Sequence, residues 1–330
     1  MNAAQDAYIS KLEARLRAVP DDHEVIRHLV ALLNTHTPDR PRPGTYGYSQ
    51  EKLSRQFQDP EWAERVLRSG TESKQYRKWN AVLEETGIQS RIAITQLFAG
   101  AVHTIGGSAT FCEFRMALFE KEAVIPRFCQ DCFKVQAVPA NLLAHVQTYL
   151  ALRILKLPRD NTRKSMVEIR TDVAAPYKSY IFCESEAEAI LCRDRLQQVL
   201  QQFGVTAVET RITHGCSEYG NKFPAFKYSN DGSHRSFTRP ADWDAKEAEF
   251  GKANEKLKLP GAVFNKNGLS VRDIIGLSTW IDYAELIGDD TYKSFRDRPN
   301  SKKPAAFAEE IVRQSVMRKQ QLEELKAKLA

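Results

Sequence analysis

Residues 165–185 read SMVEIRTDVAAPYKSYIFCES and contain two short segments typical of β-strands. The first, SMVEIRTDV, alternates apolar and polar residues, and the second, YKSYIFCES, is rich in aromatic residues. The sequence AAP between them is typical of a turn. The stretch therefore predicts two successive strands, and the elements on either side of it decide the fold class.

A helix and a further strand are predicted on each side of this pair. Upstream, CFKVQAVP (132–139) favours a strand, and residues 140–157 have the apolar period of a helix. Downstream, a helix is predicted from the N-cap residue Ser185 to Gly204, and VTAVETRIT (205–213) is predicted as a strand. The order β-α-β-β-α-β is that of a ferredoxin-like domain, so the sequence predicts an α+β fold.

This predicted domain lies between two helical extensions. We predict a helical N-terminal region at 1–110, the ferredoxin-like domain with its cysteines at 111–216, and an aromatic loop with C-terminal helices at 217–330. The helical patterns of the first region run as far as IAITQLFAGAV (92–102), which is too short to cross a bilayer. The start of the sequence does not have the pattern of a secretory signal, so we expect a cytoplasmic protein without a membrane partner. The formal net charge of +6 allows a nucleic acid or a phosphate-bearing ligand but does not require one.

The segment IPRFCQDCFK contains the most specific chemical signal in the sequence, the pair Cys129 and Cys132. In the predicted sheet the first and last strands are antiparallel neighbours, so the start of one lies beside the end of the other. Cys132 directly precedes the first strand, and His214 and Cys216 follow the last one. We therefore expect these residues to meet at one edge of the sheet. Cys112, seventeen residues before Cys129, can return to the same edge.

This convergence predicts a metal site. Thiolates select zinc or iron–sulfur centres, and a Cys-x-x-Cys pair fits two adjacent coordination positions of either one. The predicted ligands are Cys112, Cys129, Cys132 and Cys216, with His214 as an alternate ligand. Phe111, Phe128 and Phe133 would shield a cluster from solvent, which favours iron–sulfur. Such a centre could transfer electrons, activate a substrate at an open iron, or clamp the terminal regions together.

Two other interpretations of the cysteines stay open. They could be reduced, partly buried structural thiols, or they could form a thiol redox pair. The redox interpretation expects Cys-x-x-Cys at the N-terminus of a helix that follows a strand, whereas here the pair precedes a strand. Cys183 and Cys192 are expected to be buried, because free cysteine behaves as a small apolar residue.

The third predicted strand of the domain favours a different function. Lys178, Tyr180 and Phe182 match the basic residue and two of the aromatic residues in the RNP1 strand, so this segment resembles the RNA recognition motif. The segment departs from that pattern at Ser179 and Ile181. The resemblance implies a sheet face that stacks nucleobases. Alternatively, another part of the chain covers this face.

Two further segments could bind phosphate groups. The predicted loop LPRDNTRKS (157–165) carries Arg159, Arg163 and Lys164, and TIGGSATF (104–111) places two glycines before a predicted helix. Together with the sheet face, Arg163 and Lys164 make nucleic-acid binding the alternative function. The sequence contains neither Gly-x-Ser-x-Gly nor His-Glu-x-x-His, so it does not assign a catalytic residue.

Overall fold

The computed structural model describes most of the chain from residue 112 onwards and parts of the sequence before it. The described residues are 3–19, 22–33, 36, 38–39, 41–56, 61–69, 74, 76–77, 81, 102–105, 112–159, 161–171, 173–254, 271–296 and 305–329. Within these ranges, no helix is both long and apolar enough to cross a membrane.

An antiparallel β-sheet lies at the centre of the fold, and the architecture is α+β. Among the described residues the sheet has five strands: β1 Val102–Ile105, β2 Phe133–Pro139, β3 Arg163–Val167, β4 Tyr177–Cys183 and β5 Val208–His214. Their order across the sheet is β1-β3-β4-β2-β5. Phe133 pairs with His214 on one side and with Cys183 on the other. The predicted contact between the start of β2 and the end of β5 is therefore confirmed.

Helices precede, connect and follow the strands. The α-helices are α1 Ala3–Ala18, α2 His23–Leu33, α3 Tyr46–Gln56, α4 Trp62–Arg68, α5 Cys112–Glu122, α6 Leu142–Ile154, α7 Glu186–Gln202, α8 Ser217–Lys222, α9 Trp243–Ala253, α10 Val271–Ile287 and α11 Ala305–Leu329. Short 3-10 helices span Arg127–Gln130, Pro224–Phe226, Ser233–Ser236 and Asp290–Ser294. The two helices predicted between the central strands correspond to α6 and α7.

Polar cap residues begin both of these helices. The side chain of Asn141 accepts a hydrogen bond from the backbone N–H of Ala144 at 2.8 Å, at the start of α6. Ser185 accepts one from the backbone N–H of Glu188 at 3.1 Å, at the start of α7. These bonds satisfy N–H groups that have no carbonyl partner in a first helical turn. Both helices pack on one face of the sheet, where apolar side chains of β2, β4 and β5 are buried.

One apolar core joins this face of the sheet to helices from both ends of the chain. The core includes Ile9 of α1, Leu29 of α2, Trp280 of α10 and Leu322 of α11. The ring centroid of Trp280 lies 4.3 Å from that of His145 in α6. Helices from the N-terminal and C-terminal regions therefore pack directly on the unit that contains the sheet.

A second apolar cluster lies beside the sheet and is rich in aromatic residues. It contains Phe119 of α5, Tyr219 of α8, Phe226 and Trp243, all buried. The ring centroids of Phe119 and Tyr219 are 4.6 Å apart in an edge-on arrangement, which aromatic pairs favour. Phe226 and Trp243 of the predicted aromatic loop after Cys216 are therefore packed in this cluster.

The prediction of a loop over residues 157–165 is wrong from Arg163 onward. Arg163 and Lys164 lie in β3, where they pair with Ile181 and Tyr180 of β4. Strand formation therefore begins earlier than the alternating pattern indicates, because the sheet supplies hydrogen-bonding partners that the local sequence does not reveal.

The helical interpretation of 92–102 is wrong at its last residue, where β1 begins and pairs with β3. Short apolar runs cannot be divided between helix and strand by periodicity alone. The rest of that segment lies outside the described residues. In the predicted anion-binding segment 104–111, the first two residues belong to β1 and the others lie outside the described residues.

Two buried charges lie on the sheet face away from α6 and α7. The side chain of Glu168, just after β3, is 0% exposed, and Nζ of Lys178 lies 3.1 Å from its Oε2. Arg170 donates from Nε and Nη2 to the same carboxylate, each at 2.9 Å. Burial alone would raise the pKa of Glu168, but the hydrogen bonds from Arg170 and the charge of Lys178 lower it to about 2. Glu168 is therefore the counter-charge of both cations.

The substitution Glu168→Gln should be strongly destabilising, because it leaves Lys178 buried without a carboxylate. We expect the free energy of unfolding at neutral pH, measured by urea denaturation, to fall by about 3–5 kcal/mol. Glu218→Gln is the matched control, because Glu218 contacts Arg170 from a side chain that is 40% exposed. The control should cost at most about 1 kcal/mol. Equal losses in the two variants would contradict this account.

The same carboxylate should make stability depend on acid pH. The pKa of Glu168 is lower in the folded chain than its ordinary value of 4.5. Its contribution to stability is therefore complete above that value and is lost as the pH falls towards 2. We expect the wild-type melting temperature to fall more steeply across this range than that of Glu168→Gln, as followed by circular dichroism.

Candidate functional site

A cavity of ≈ 550 Å³ lies at the edge of the sheet where β2 begins and β5 ends. The four predicted cysteine ligands, Cys112, Cys129, Cys132 and Cys216, all line this cavity. We refer to it as the cysteine cavity. Its other walls include Arg115, Met116, Phe128, Lys134, Phe182 and Tyr219.

Each of these cysteines is positioned by a different element. Cys112 is the first residue of α5, and Cys129 lies in the 3-10 helix Arg127–Gln130. Cys132 directly precedes β2, and Cys216 caps the N-terminus of α8 just after β5. The sheet and the helices packed at its edge therefore bring together cysteines that are far apart in the sequence.

A tight backbone contact joins the two sheet-derived cysteine segments. The backbone N–H of Gly215 donates to the carbonyl oxygen of Cys132 at 2.7 Å. Gly215 has a φ of +59°, which favours glycine, and a Cβ atom there would lie 2.7 Å from the ring of Phe226. Only glycine therefore fits this approach without displacing the aromatic ring.

Two hydrogen-bond donors approach the thiols. Nζ of Lys134 lies 3.5 Å from Sγ of Cys216, and the hydroxyl of Tyr219 donates to Sγ of Cys129 at 3.6 Å. Burial alone would lower the pKa of Lys134, but negative charge on Cys216 and Cys132 raises it, so the ammonium group is favoured whenever these thiols ionise. The cavity therefore offers a fixed positive charge beside its thiols.

Two of the thiols, those of Cys129 and Cys132, are held in the neutral form. Burial raises the pKa of Cys129 to about 12, and that of Cys132 to about 11. Ionisation of Cys216 would add to the rise in both cases, which places the thiols within electrostatic reach of one another. Nucleophilic redox thiols need the opposite shift, because the thiolate is the reactive form. The thiol redox interpretation therefore has little support in this environment.

The cysteines share a cavity without forming a closed shell around one ion. Within the described ranges, no group of three or more His, Cys, Asp or Glu side chains is placed to hold a metal ion. The donor set is nevertheless one that suits zinc or iron–sulfur, because four thiols face a common space.

His214, the alternate ligand, has a different position. Its Nδ1 lies 2.8 Å from the carbonyl oxygen of Phe226, and its Nε2 lies 2.5 Å from that of Gln130. The ring is stacked between Phe133 and Phe226, with centroid distances of 4.4 Å and 3.9 Å. Burial lowers the pKa of His214, and the two carbonyl groups oppose this shift. His214 is thus occupied in joining the 3-10 helix, β5 and the aromatic loop.

Sequence reasoning missed several residues of the site. Cys183, predicted only to be buried, is buried and also lines the cysteine cavity. Cys192 is fully buried in α7, as predicted. Lys134 and Tyr219 lie within a few residues of predicted ligands, and this closeness to Cys132 and Cys216 is the signal that could have identified them.

The residues of the predicted nucleic-acid face are separated by the fold. Lys178 is 2% exposed and paired with Glu168, and Arg163 is 2% exposed and donates to the carbonyl oxygen of Leu152 in α6. Arg163 therefore points to the face that packs on the helices.

The remaining residues of that face do not form one open surface either. Tyr180, Phe182 and Lys164 are only partly exposed. The ring centroids of Tyr180 and Phe182 are 6.3 Å apart, but Phe182 lines the cysteine cavity and Tyr180 lines a neighbouring cavity. The alternation of the strand was predicted correctly, whereas the pairing of Lys178 with a carboxylate ten residues earlier could not be predicted from it.

The raised thiol pKa values predict that the metal-free protein loses stability in alkali. The unfolded thiols ionise near their ordinary value of 9, whereas Cys129 and Cys132 ionise near 12 and 11 when folded. Stability from the neutral thiols is therefore complete below pH 9 and is lost as the pH rises from there towards 11. Thermal denaturation of reduced, metal-free protein should show this decline. The double variant Cys129→Ala, Cys132→Ala should show a shallower one, and equal slopes would refute the assignment.

Comparison with protein-family models, with curated protein sequences and with solved structures finds no match for this chain. A function can therefore be assigned only from the residues and the geometry of the chain itself.

Proposed function

We propose that the protein binds an iron–sulfur cluster through the thiolates of Cys112, Cys129, Cys132 and Cys216. The observation that carries the proposal is that four cysteines from four separate elements line one cavity. Unpaired structural thiols do not need a common space, whereas ligands of one metal centre do. We further propose that residues 133–214 form a ferredoxin-like unit, with β1 as an additional edge strand beside β3.

The size of the cavity favours a cluster over a single zinc ion. Tetrahedral zinc with Zn–S bonds of about 2.3 Å brings its sulfurs to roughly 3.8 Å from one another. In a [4Fe–4S] cluster each thiolate binds a separate iron, so the sulfurs stand further apart. The described residues include no group of ligands spaced for one ion, yet the four thiols face a cavity of ≈ 550 Å³. A cluster is larger than one zinc ion and would fill more of that space.

The charges and apolar walls of the cavity suit the same centre. A four-thiolate centre carries a net negative charge, and Lys134 contacts Cys216 while Arg115 lies 3.6 Å above the ring of Phe128. Hydrogen bonds to ligand sulfurs and burial both tune such centres. When bound, an iron–sulfur cluster supplies electron transfer, or a Lewis acid where one iron is left open. In this chain Lys134 and Tyr219 hold ligand sulfurs, and Phe128 and Phe182 contribute apolar walls to the cavity.

Metal and sulfide analysis of protein purified without oxygen tests the proposal. We expect stoichiometric iron and acid-labile sulfide, with a broad visible absorption band, in the wild-type protein. Cys132→Ser should lose most of the iron and the absorption. Cys192→Ala is the matched control, because Cys192 is buried in α7 and does not line the cavity; it should retain both.

Each other outcome has a distinct meaning. If the wild-type protein contains stoichiometric zinc and Cys132→Ser loses it, the site is a structural zinc site and not a cluster. The proposal is refuted if folded, reduced wild-type protein contains no metal even after reconstitution with iron and sulfide. The structural-thiol interpretation would then remain. Equal iron in Cys132→Ser and in the control would place the metal elsewhere.

A further inference from the structure

A second cavity, of ≈ 380 Å³, lies on the sheet face away from α6 and α7. Five basic side chains line it, and no Asp or Glu does among the described residues; we call it the cationic cavity. The basic residues are Lys134, Arg170, Lys178, Arg211 and Lys227. Lys134, Gly215 and Cys216 line both this cavity and the cysteine cavity, so the two spaces adjoin.

The fold itself neutralises only part of this positive charge. Glu168, buried beneath the face, pairs with Lys178 and Arg170, and Glu218 pairs with Arg170 from the rim. In the part of the chain that the structure describes, Lys134, Arg211 and Lys227 have no carboxylate within ion-pair distance. Five cations and two carboxylates leave a concave surface with about three uncompensated positive charges, an arrangement that concentrates anions.

Neutral hydrogen-bonding groups complete the lining. They are Gln136, Tyr180, Thr213, Ser217 and Asn221. Nε of Arg211 donates to Oε1 of Gln136 at 3.1 Å, which orients the guanidinium group on the surface of β2 and β5. A planar guanidinium held in this way can present its other N–H groups to two oxygens of one phosphate.

The shape of the cavity selects a small ligand over a polymer. Its volume lies at the lower end of the range for small-molecule sites, roughly 300–1,000 Å³. The ammonium of Lys178 is almost fully buried, and Tyr180 is only partly exposed. Helix α11 also covers part of this face, where Nζ of Lys328 lies 2.8 Å from Glu209 of β5. An extended nucleic-acid backbone therefore has no continuous path across these residues.

We propose that the cationic cavity binds a small molecule carrying phosphate groups, with Arg211, Lys227 and Lys134 as its charged contacts. Lys134 places the ligand beside the cysteines. If the proposed metal centre is present, the ligand is therefore a neighbour of the cluster. Only this neighbourhood rests on the metal-centre proposal. The anion site itself needs no metal, because its charges come from side chains of the sheet face and the segment after β5.

Calorimetric titration with inorganic pyrophosphate at low ionic strength tests this site. We expect saturable binding that Arg211→Met and Lys227→Met each weaken by roughly tenfold. Lys252→Met is the matched control, because Lys252 is an exposed lysine that does not line the cavity; it should bind as the wild type does. All three positions are exposed, so circular dichroism should show unchanged folding.

Three results would overturn the proposal. They are absence of pyrophosphate binding, binding that neither cavity variant weakens, and tighter binding of a single-stranded RNA oligonucleotide that the same variants weaken. Iron content measured on the same samples separates the two proposals. If the protein binds pyrophosphate but contains no metal, only the anion-site proposal stands. If it contains metal but does not bind pyrophosphate, only the metal-centre proposal stands.

Discussion

The hydrogen bonding of β2 on both of its edges brings together the candidate functional residues of the sheet. β2 lies between β4 and β5, so the residues at its start are enclosed by the end of β4 and the end of β5. Cys132 therefore meets Gly215 and Cys216, and Cys183 reaches the same edge from the other side. A shift of the register by one residue would turn Lys134 to the helix-packed face and remove it from both cavities. The register of this one strand thus sets the composition of the site.

The two faces of the sheet have contrasting roles. One face is apolar and packs on α6 and α7, and it provides the continuous core that the N-terminal and C-terminal helices join. The other face carries Lys178, Arg211 and the buried Glu168, with α11 over part of it. A charged face next to an extended apolar core costs desolvation energy, and the fold offsets that cost locally by pairing Glu168 with two cations. The charge that remains unpaired is concentrated in a cavity instead of being spread over the surface.

Local sequence patterns predicted the central strands and helices well, because alternation, period and the cap residue Ser185 act within a few residues. The same patterns failed at β1, a short edge strand whose existence depends on pairing with β3. For the site, strand adjacency predicted the meeting of Cys132 with Cys216. The roles of Glu168 and His214 could not be predicted, because each depends on partners that only the folded chain brings near. The cationic cavity likewise depends on the aromatic loop, which supplies Lys227 and Tyr228 to its lining.

The position of Lys134 has a further thermodynamic consequence. One ammonium group contacts the thiol of Cys216 and lines the cationic cavity, so a negative charge that enters either space acts on the same cation. Two occupants that share one counter-ion compete for it, and the free energy of their coupling is the same whichever of them arrives first. Because the competition passes through a single partly buried side chain, it is only weakly screened by salt. The two proposed sites would therefore be linked, with opposed demands on one charge.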